Sequence, residues 1–194
     1  MPKSRNPIPH RYPIVPTRVT LFTGPSRGFT LVRQPHVRPP QPNRAMPHQL
    51  LAAYPVALTI PVQWGELDAY GHINNTIFFR WFESARIEYL TRSGMVRTME
   101  RDQIGAILHS TGCRFRRPVF FPDTVEIGGR ASEVGDDRFT MEYLVVSHEQ
   151  DAVVGEGTGI IVAYDYAAHA KAPLPDDVRR GIASLEEAVG NKSA

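Results

Sequence analysis

At 194 residues the chain is long enough for one ordinary domain and too short for two comfortable ones. A content of 42% hydrophobic and 9% aromatic residues supports a packed core, and the single cysteine, Cys113, excludes an internal disulfide and a cysteine-based metal cluster. No apolar run approaches the roughly 18 residues of a membrane helix, and no unbroken apolar stretch follows the basic N-terminus as in a secretory signal. The expected setting is cytoplasmic. The net charge of +2 hides a split: residues 1–45 hold one Lys, seven Arg and no acidic residue, and the first acidic residue of the chain is Glu66. A basic arm therefore precedes a mildly acidic body.

Ten of the 17 prolines lie in that arm. Stretches such as HVRPPQPNR cannot hold a helix, because proline lacks the amide donor and restricts the residue before it. Residues 1–48 read as a disordered Pro/Arg-rich extension, in which only a short run such as RVTLF could pair with a sheet edge. Its prolines argue against the amphipathic helix of an organelle-targeting segment, and its scattered bases carry too little aromatic interleaving for nucleic-acid binding. The plainest account is an upstream extension, with Met46 as the functional start.

The folded domain is expected over residues 49–190. In ALTIPVQW, Leu58, Ile60, Val62 and Trp64 alternate with polar residues and Pro61, the period of a half-buried strand whose proline belongs at an edge or bulge. The turn ELDAYGHINN follows. In TIFFRWFESARIEYLTRSG, the side chains of Phe78, Trp81, Phe82, Ala85 and Tyr89 recur at steps of three and four. Arg80, Ser84, Glu88 and Thr91 take another face, so the segment reads as an amphipathic helix of about five turns. Asn74 or Asn75 suits its N-cap and Gly94 its C′ position. The aromatic stripe is too bulky for a thin core and suits a helix wrapped by a curved sheet.

Strands are expected directly after the helix. Ile107, His109, Thr111, Cys113 and Phe115 would share one face of the first. Val125, Ile127 and Ala131 alternate in the second, and GDD and EQD mark short turns into RFTMEYLVVSHE and AVVGEGTGIIVAYDY. Long runs joined by short turns make an antiparallel meander. LPDDVRRGIASLEEAV closes the chain as a short helix, with Asp176 and Asp177 near its positive end. The order is α+β: one antiparallel sheet around one dominant helix.

The chemistry concentrates at the helix entrance. Gly71 allows a backbone conformation that other residues resist. The first turn of the helix leaves amides free and adds partial positive charge. A carboxylate beside free amides, here Asp68, is a minimal hydrolytic constellation: amides for an oxyanion, carboxylate for base or nucleophile. Asp and Asn before a helix are also ordinary turn and cap residues, so spacing alone leaves both accounts open.

The string VQWGELDAYGHINNTIFFRWFESAR resembles the signature of hotdog-fold acyl-CoA thioesterases, in the branch of 4-hydroxybenzoyl-CoA and long-chain acyl-CoA thioesterases. The family pattern Asp-x-x-Gly-His-[Val/Ile]-Asn-Asn falls on Asp68, Gly71, His72, Ile73, Asn74 and Asn75, and the helix motif on Phe82, Glu83, Ala85 and Arg86. FRRPVFFPD supplies a second match through Phe115, Pro118 and Asp123, and the resemblance spans roughly residues 57–165. It implies a hotdog fold and an acyl-CoA thioester hydrolase that releases a carboxylic acid and CoA. Asp68 would be the catalytic carboxylate, with an amide near Asn75 polarising the carbonyl and Gly71, His72, Asn74 and Asn75 shaping the thioester site. Glu66, two residues before Asp68, ranks second for the catalytic role. The CoA thioester is the substrate, and no metal or other cofactor is expected. Arg114, Arg116 and Arg117 are candidates for the CoA phosphates. The resemblance also implies a homodimer or homotetramer with the site between subunits, and no nucleic-acid or membrane partner. Glu83 and Arg86 read as a structural surface pair.

Two rival accounts remain at this stage. A hotdog dehydratase would use a histidine and a helix carboxylate, which His72 and Glu83 could imitate. A non-enzymatic acyl-CoA sensor would regulate through a DNA-binding arm, but residues 1–45 lack the helical apolar periodicity of a helix-turn-helix.

Overall fold

The computed structural model of the protein describes residues 47–191. The basic arm and its RVTLF run lie outside the described residues. The body begins with a short 3-10 turn at Gln49–Leu51, then β1 (Val56–Pro61), a second 3-10 turn at Trp64–Glu66, and the long helix α1 (Asn75–Arg92). A second helix, α2 (Met95–Asp102), precedes β2 (Ile104–Phe115), β3 (Thr124–Ser132), β4 (Arg138–Ser147), β5 (Ala152–Asp165), the short β6 (Ala170–Lys171) and α3 (Asp176–Glu187).

The strands form one antiparallel sheet in the order β1-β3-β4-β5-β2, with β6 pairing β5. β1 is an edge strand, which accommodates Pro61 as expected. Its apolar alternation stops at Val62: Trp64 enters the 3-10 turn and is 73% exposed.

Asn74 caps α1, its side chain accepting from the Thr76 amide, and Gly94 follows the C-terminus in a left-handed conformation at φ 92°. Phe78, Trp81, Phe82, Ala85 and Tyr89 are all buried. Two of these aromatics lie directly on glycines of β5. A Cβ at Gly155 would sit 2.7 Å from the Phe78 ring, and one at Gly157 would sit 2.5 Å from Phe82. Phe82 also stacks on Tyr143 of β4, with ring centroids 4.8 Å apart and planes 12° from parallel. The helix thus rests against the sheet backbone, through a strip of β5 that has no side chains to hold it off.

Two expectations need correction. The segment after Gly94 is helical rather than strand. In α2, Met95 and Thr98 are the buried residues, too short an apolar pattern to stand out in sequence, and the Thr98 hydroxyl ties the helix to β2 by donating to the Ile104 carbonyl at 2.9 Å. The face assignment in β2 also fails, because a bulge at His109 shifts the register: Leu108 pairs Ile161, yet Ser110 pairs Ile160. The extra residue reverses the alternation. Ile104 and Ala106 pack on the core before the bulge and Cys113 packs on it after. Ile107 and His109 therefore do not share a face with Cys113.

At the other end of α1, α3 approaches so closely that a Cβ on Gly181 would lie 2.2 Å from the Ser93 carbonyl oxygen. The buried Glu186 secures this helix, accepting from the Tyr89 hydroxyl at 2.7 Å and from the Ala131 amide at 2.8 Å. Ala131 lies beyond the last residue of β3 that β1 pairs, so the carboxylate supplies the acceptor that β1 does not. Alanine is the better helix former by about 1 kcal/mol, but here its methyl meets backbone that cannot rotate away. Gly181→Ala is therefore expected to lower stability by about 1–3 kcal/mol, read from the urea midpoint, despite the gain in helix propensity.

Candidate active site

The turn between β1 and α1 is built around Asp68. The Gly71 amide donates to the Asp68 carbonyl at 3.1 Å, and Gly71 takes φ +77°, which glycine adopts without strain. The Asp68 amide donates to the His72 carbonyl at 2.7 Å, inside a single bridge between Leu67 and Ile73. Two more contacts anchor the turn: Ile73 N–H to the Val119 carbonyl at 2.8 Å, and Asn74 N–H to the Glu66 carbonyl at 2.9 Å. The turn is thereby tied to the loop after β2 and to the 3-10 turn before it.

The Asp68 carboxylate is divided by this arrangement. Oδ1 accepts from the amides of Tyr70 at 2.8 Å and His72 at 3.2 Å. Oδ2 has no hydrogen-bond partner among the described residues. One oxygen fixes the orientation of the group and the other is unengaged among the described residues. Capping and catalysis, the two accounts left open by the sequence, are compatible because they use different atoms.

Asp68, His72, Ile73, Asn75, Phe78, Phe115, Arg116, Arg117, Pro118 and Val119 surround a cavity of about 370 Å³. Asn75 is the first residue of α1, and its amide donates to no acceptor among the described residues. The free amide of a helix N-terminus therefore borders the same space as Asp68.

The other anticipated residues divide. Gly71 and Asn74 set the turn and the helix cap, while His72 and Asn75 border the cavity. The His72 ring meets Phe120 edge-on at 5.0 Å. Glu66 is engaged elsewhere: its Oε2 accepts from the Gln63 amide at 2.9 Å, capping the 3-10 turn, and it does not border the cavity. Arg116 and Arg117 line the cavity, with Arg116 paired to Glu156 at 2.7 Å and Arg117 in no ion pair among the described residues. Arg114 does not reach the cavity, because strand alternation sends it to the opposite face from Phe115. Asp123 is buried and structural, accepting from the Ser147 hydroxyl at 2.6 Å.

The dehydratase pairing is not assembled. His72 borders this cavity, while Glu83 lies about two turns further along α1, facing a separate groove beside Arg86. Burial pushes the Cys113 thiol up to about 11, so it is not poised as a thiolate nucleophile at neutral pH. Among the described residues no group of three or more His, Cys, Asp or Glu side chains is arranged to hold a metal ion, and no helix is long and apolar enough to cross a membrane. Sequence reading missed the aromatic wall of the cavity. Phe78, expected on the apolar stripe of the helix, also meets Phe115 edge-on at 5.1 Å beside Asn75. The signal available for this was the FRRP segment, whose phenylalanine matched the family pattern.

Residues 62–182 match the thioesterase-like superfamily. A putative esterase of Aquifex aeolicus is 32% identical over 89 residues, 45% of this chain and 70% of that protein. The long-chain acyl-CoA thioesterase FadM of Escherichia coli is 21% identical over 126 residues, covering 65% of this chain and 96% of that protein. Among solved structures, a Thermus thermophilus thioesterase complexed with coenzyme A and Zn superposes with a TM-score of 0.62 at 29% identity, over 70% of this chain and 96% of that one. The chain belongs to the thioesterase-like superfamily, and its curled antiparallel sheet around α1 is the hotdog fold. It is an enzyme of the thioesterase class.

The divided carboxylate makes a prediction about stability alone. Asp68→Asn keeps an oxygen for the Tyr70 and His72 amides, so its denaturation midpoint is expected to shift by less than about 0.5 kcal/mol. Asp68→Ala leaves both amides without that acceptor and is expected to cost about 1–2 kcal/mol in the same urea titration.

Proposed function

We propose that the protein hydrolyses acyl-CoA thioesters, with Asp68 as the reactive carboxylate and the Asn75 amide as an oxyanion donor. The observation that carries this reading is the unengaged Oδ2 of Asp68 beside the unengaged Asn75 amide, on one cavity. A thioester carbonyl placed between them would have its oxygen toward the amide and its carbon toward the carboxylate. Partial positive charge at the start of α1 favours the oxyanion that develops there.

Two routes fit these atoms. In the first, Oδ2 takes a proton from water, the resulting hydroxide adds to the carbonyl carbon, and the tetrahedral intermediate collapses with loss of the CoA thiolate. The thiolate then takes up a proton, and the products are a carboxylic acid and CoA. In the second, Oδ2 adds directly, thiolate leaves an acyl anhydride on Asp68, and water hydrolyses it. Thiolate is a good leaving group, so neither route needs an acid positioned at sulfur, and water is the only co-reactant. Arg117, uncommitted to any ion pair among the described residues, is the first candidate for the CoA phosphates, with Arg116 beside it. We assign the enzyme to the cytoplasm, as a homodimer or homotetramer whose subunits complete the site.

The test is thiol release from short, long and aromatic acyl-CoAs. Turnover on some member of the panel is expected, falling at least 10²-fold in Asp68→Asn while the fold persists. Turnover that survives in Asp68→Asn would remove Asp68 from the reaction, and no turnover on any member would overturn the hydrolase reading. Single turnover in ¹⁸O-water tests the second route: label in the Asp68 carboxylate marks an anhydride opened by water at the Asp68 carbonyl carbon.

A further inference from the structure

A second groove runs beside α1, bordered by Phe79, Arg80, Glu83, Arg86, Leu108 and Thr111, with a volume of about 230 Å³. It lies on the same seam as the proposed thioester site. Both cavities are bordered by α1 on one side and β2 on the other: Asn75 and Phe78 with Phe115 at the first, Phe79 to Arg86 with Thr111 and Leu108 at the second. The two elements run in opposite directions, so advancing along α1 means retreating along β2. From Asn75 to Arg86 the seam covers about 16 Å of helix, at roughly 1.5 Å per residue.

Two buried polar side chains meet at the far end of this seam, Arg86 and Tyr143. Arg86 is only 9% exposed, yet its one ion-pair contact is Glu83 at 3.8 Å, beyond hydrogen-bond range, and that carboxylate is 64% exposed. The expectation of an ordinary surface pair is therefore wrong for Arg86. The Tyr143 hydroxyl is buried against the Arg86 guanidinium, near enough to accept from it though not in good hydrogen-bond geometry, and no other group partners it among the described residues. It lies close to Leu108, since both would fall within 3.5 Å of a Cβ on Gly159. Burial pushes the Tyr143 phenol up, with the nearby Arg86 guanidinium drawing it partly back, so it remains a neutral donor. A buried guanidinium with no carboxylate within hydrogen-bond range is costly. Elsewhere in the domain, buried charges are met: Glu186 and Asp123 each accept several hydrogen bonds.

The β2 bulge lies beside this groove. By restarting the alternation at His109 it puts Leu108 and Thr111 on the groove side together. Bulges commonly re-aim side chains in this way next to binding sites.

We infer that this seam is the acyl channel, and that Arg86 and Tyr143 select acyl groups whose far end carries a carboxylate. The inference rests on the thioesterase reading for the near end of the channel. An elongated acyl chain would run from the Asp68 turn past Phe78 and Phe115 and along Phe79. Its terminal carboxylate would receive the guanidinium of Arg86 and the hydroxyl of Tyr143, while Glu83 turns out toward water. A hydroxyl-terminated chain could use the same donors without the charge.

The experiment compares three CoA thioesters of equal length on the full chain: dodecanoyl, 12-hydroxydodecanoyl and the mono-thioester of dodecanedioic acid. The expected order of kcat/KM is carboxylate, then hydroxyl, then methyl, with the carboxylate ahead of the methyl by at least tenfold. Arg86→Met should invert the carboxylate-to-methyl ratio. Tyr143→Phe should lower it by a smaller factor, and the variant is expected to fold because the ring that stacks on Phe82 is retained. If Arg86→Met fails to fold, the Tyr143→Phe ratio still decides. A parent that prefers the methyl chain, or ratios unmoved in a folded variant, would overturn the inference. So would a change of oligomeric state in Arg86→Met by light scattering with the ratio intact, since a second subunit would then be what meets Arg86. If none of the thioesters is cleaved, hydrolysis fails separately. Calorimetric binding of the thioether analogues then reads the end-group preference by itself, and equal affinity for all three would overturn it.

Discussion

The fold depends on the contact of two aromatic rings with backbone. Phe78 and Phe82 lie where side chains at Gly155 and Gly157 would have to be, so α1 sits deeper against the sheet than any residue larger than glycine would allow. Burying each ring fully contributes about 1.5–3 kcal/mol. The stack of Phe82 on Tyr143 extends the contact to the next strand. The functional consequence is positional. Once the helix is seated, its first amides and the aromatic wall of the cavity have fixed places, and the turn that carries Asp68 has only to meet them.

That turn is held by backbone rather than by packing. Asp68 and His72 share a main-chain hydrogen bond within the turn, Ile73 and Asn74 bond to neighbouring segments, and one carboxylate oxygen joins the same network. The group is therefore oriented without being consumed. A reactive carboxylate needs a restrained orientation and an available lone pair at once, which are opposed demands on a single side chain. Dividing the work between its two oxygens meets both. The same division explains why Glu66 is not equivalent, despite being two residues away: its hydrogen bond to Gln63 holds the preceding turn, and its carboxylate points away from the space that Asp68 and Asn75 share.

Much of this was legible in sequence, for specific reasons. α1 announced itself through aromatic spacing and through both caps, Asn74 and Gly94, and the strands after β2 through alternation punctuated by GDD and EQD. Asp68 stands out in sequence as a carboxylate beside free helix amides, and its expected catalytic role comes from the resemblance of the turn to the thioesterase signature. What was hidden depended on partners distant in sequence. The bulge at His109 is a property of the pairing between β2 and β5, and a strand read alone shows unbroken alternation. α2 buries too few residues to print a helical period, and its placement relies on Thr98 reaching Ile104. Arg86 was misread because a Glu three residues before an Arg on a helix usually marks a solvated face. Here Arg86 is buried beside Tyr143 of β4, while the Glu83 side chain stays 64% exposed.

Arg86 shows how the structure allocates its polar costs. Asp123, Glu126 and Glu186 are as buried as Arg86, and each is answered: Asp123 by Ser147, Glu126 by His148 and the His48 amide, Glu186 by Tyr89, Ala131 and Asn191. These carboxylates tie together loops and strand ends that have no other reason to stay in register. They can be read as structural because their hydrogen bonds are complete within the chain. Arg86 differs in that, among the described residues, no carboxylate comes within hydrogen-bond range of it. A domain that satisfies three buried carboxylates so fully would gain stability by replacing an unmatched buried cation with an apolar residue. Retaining the cation on the wall of a groove beside α1 is what a site for an external acceptor requires.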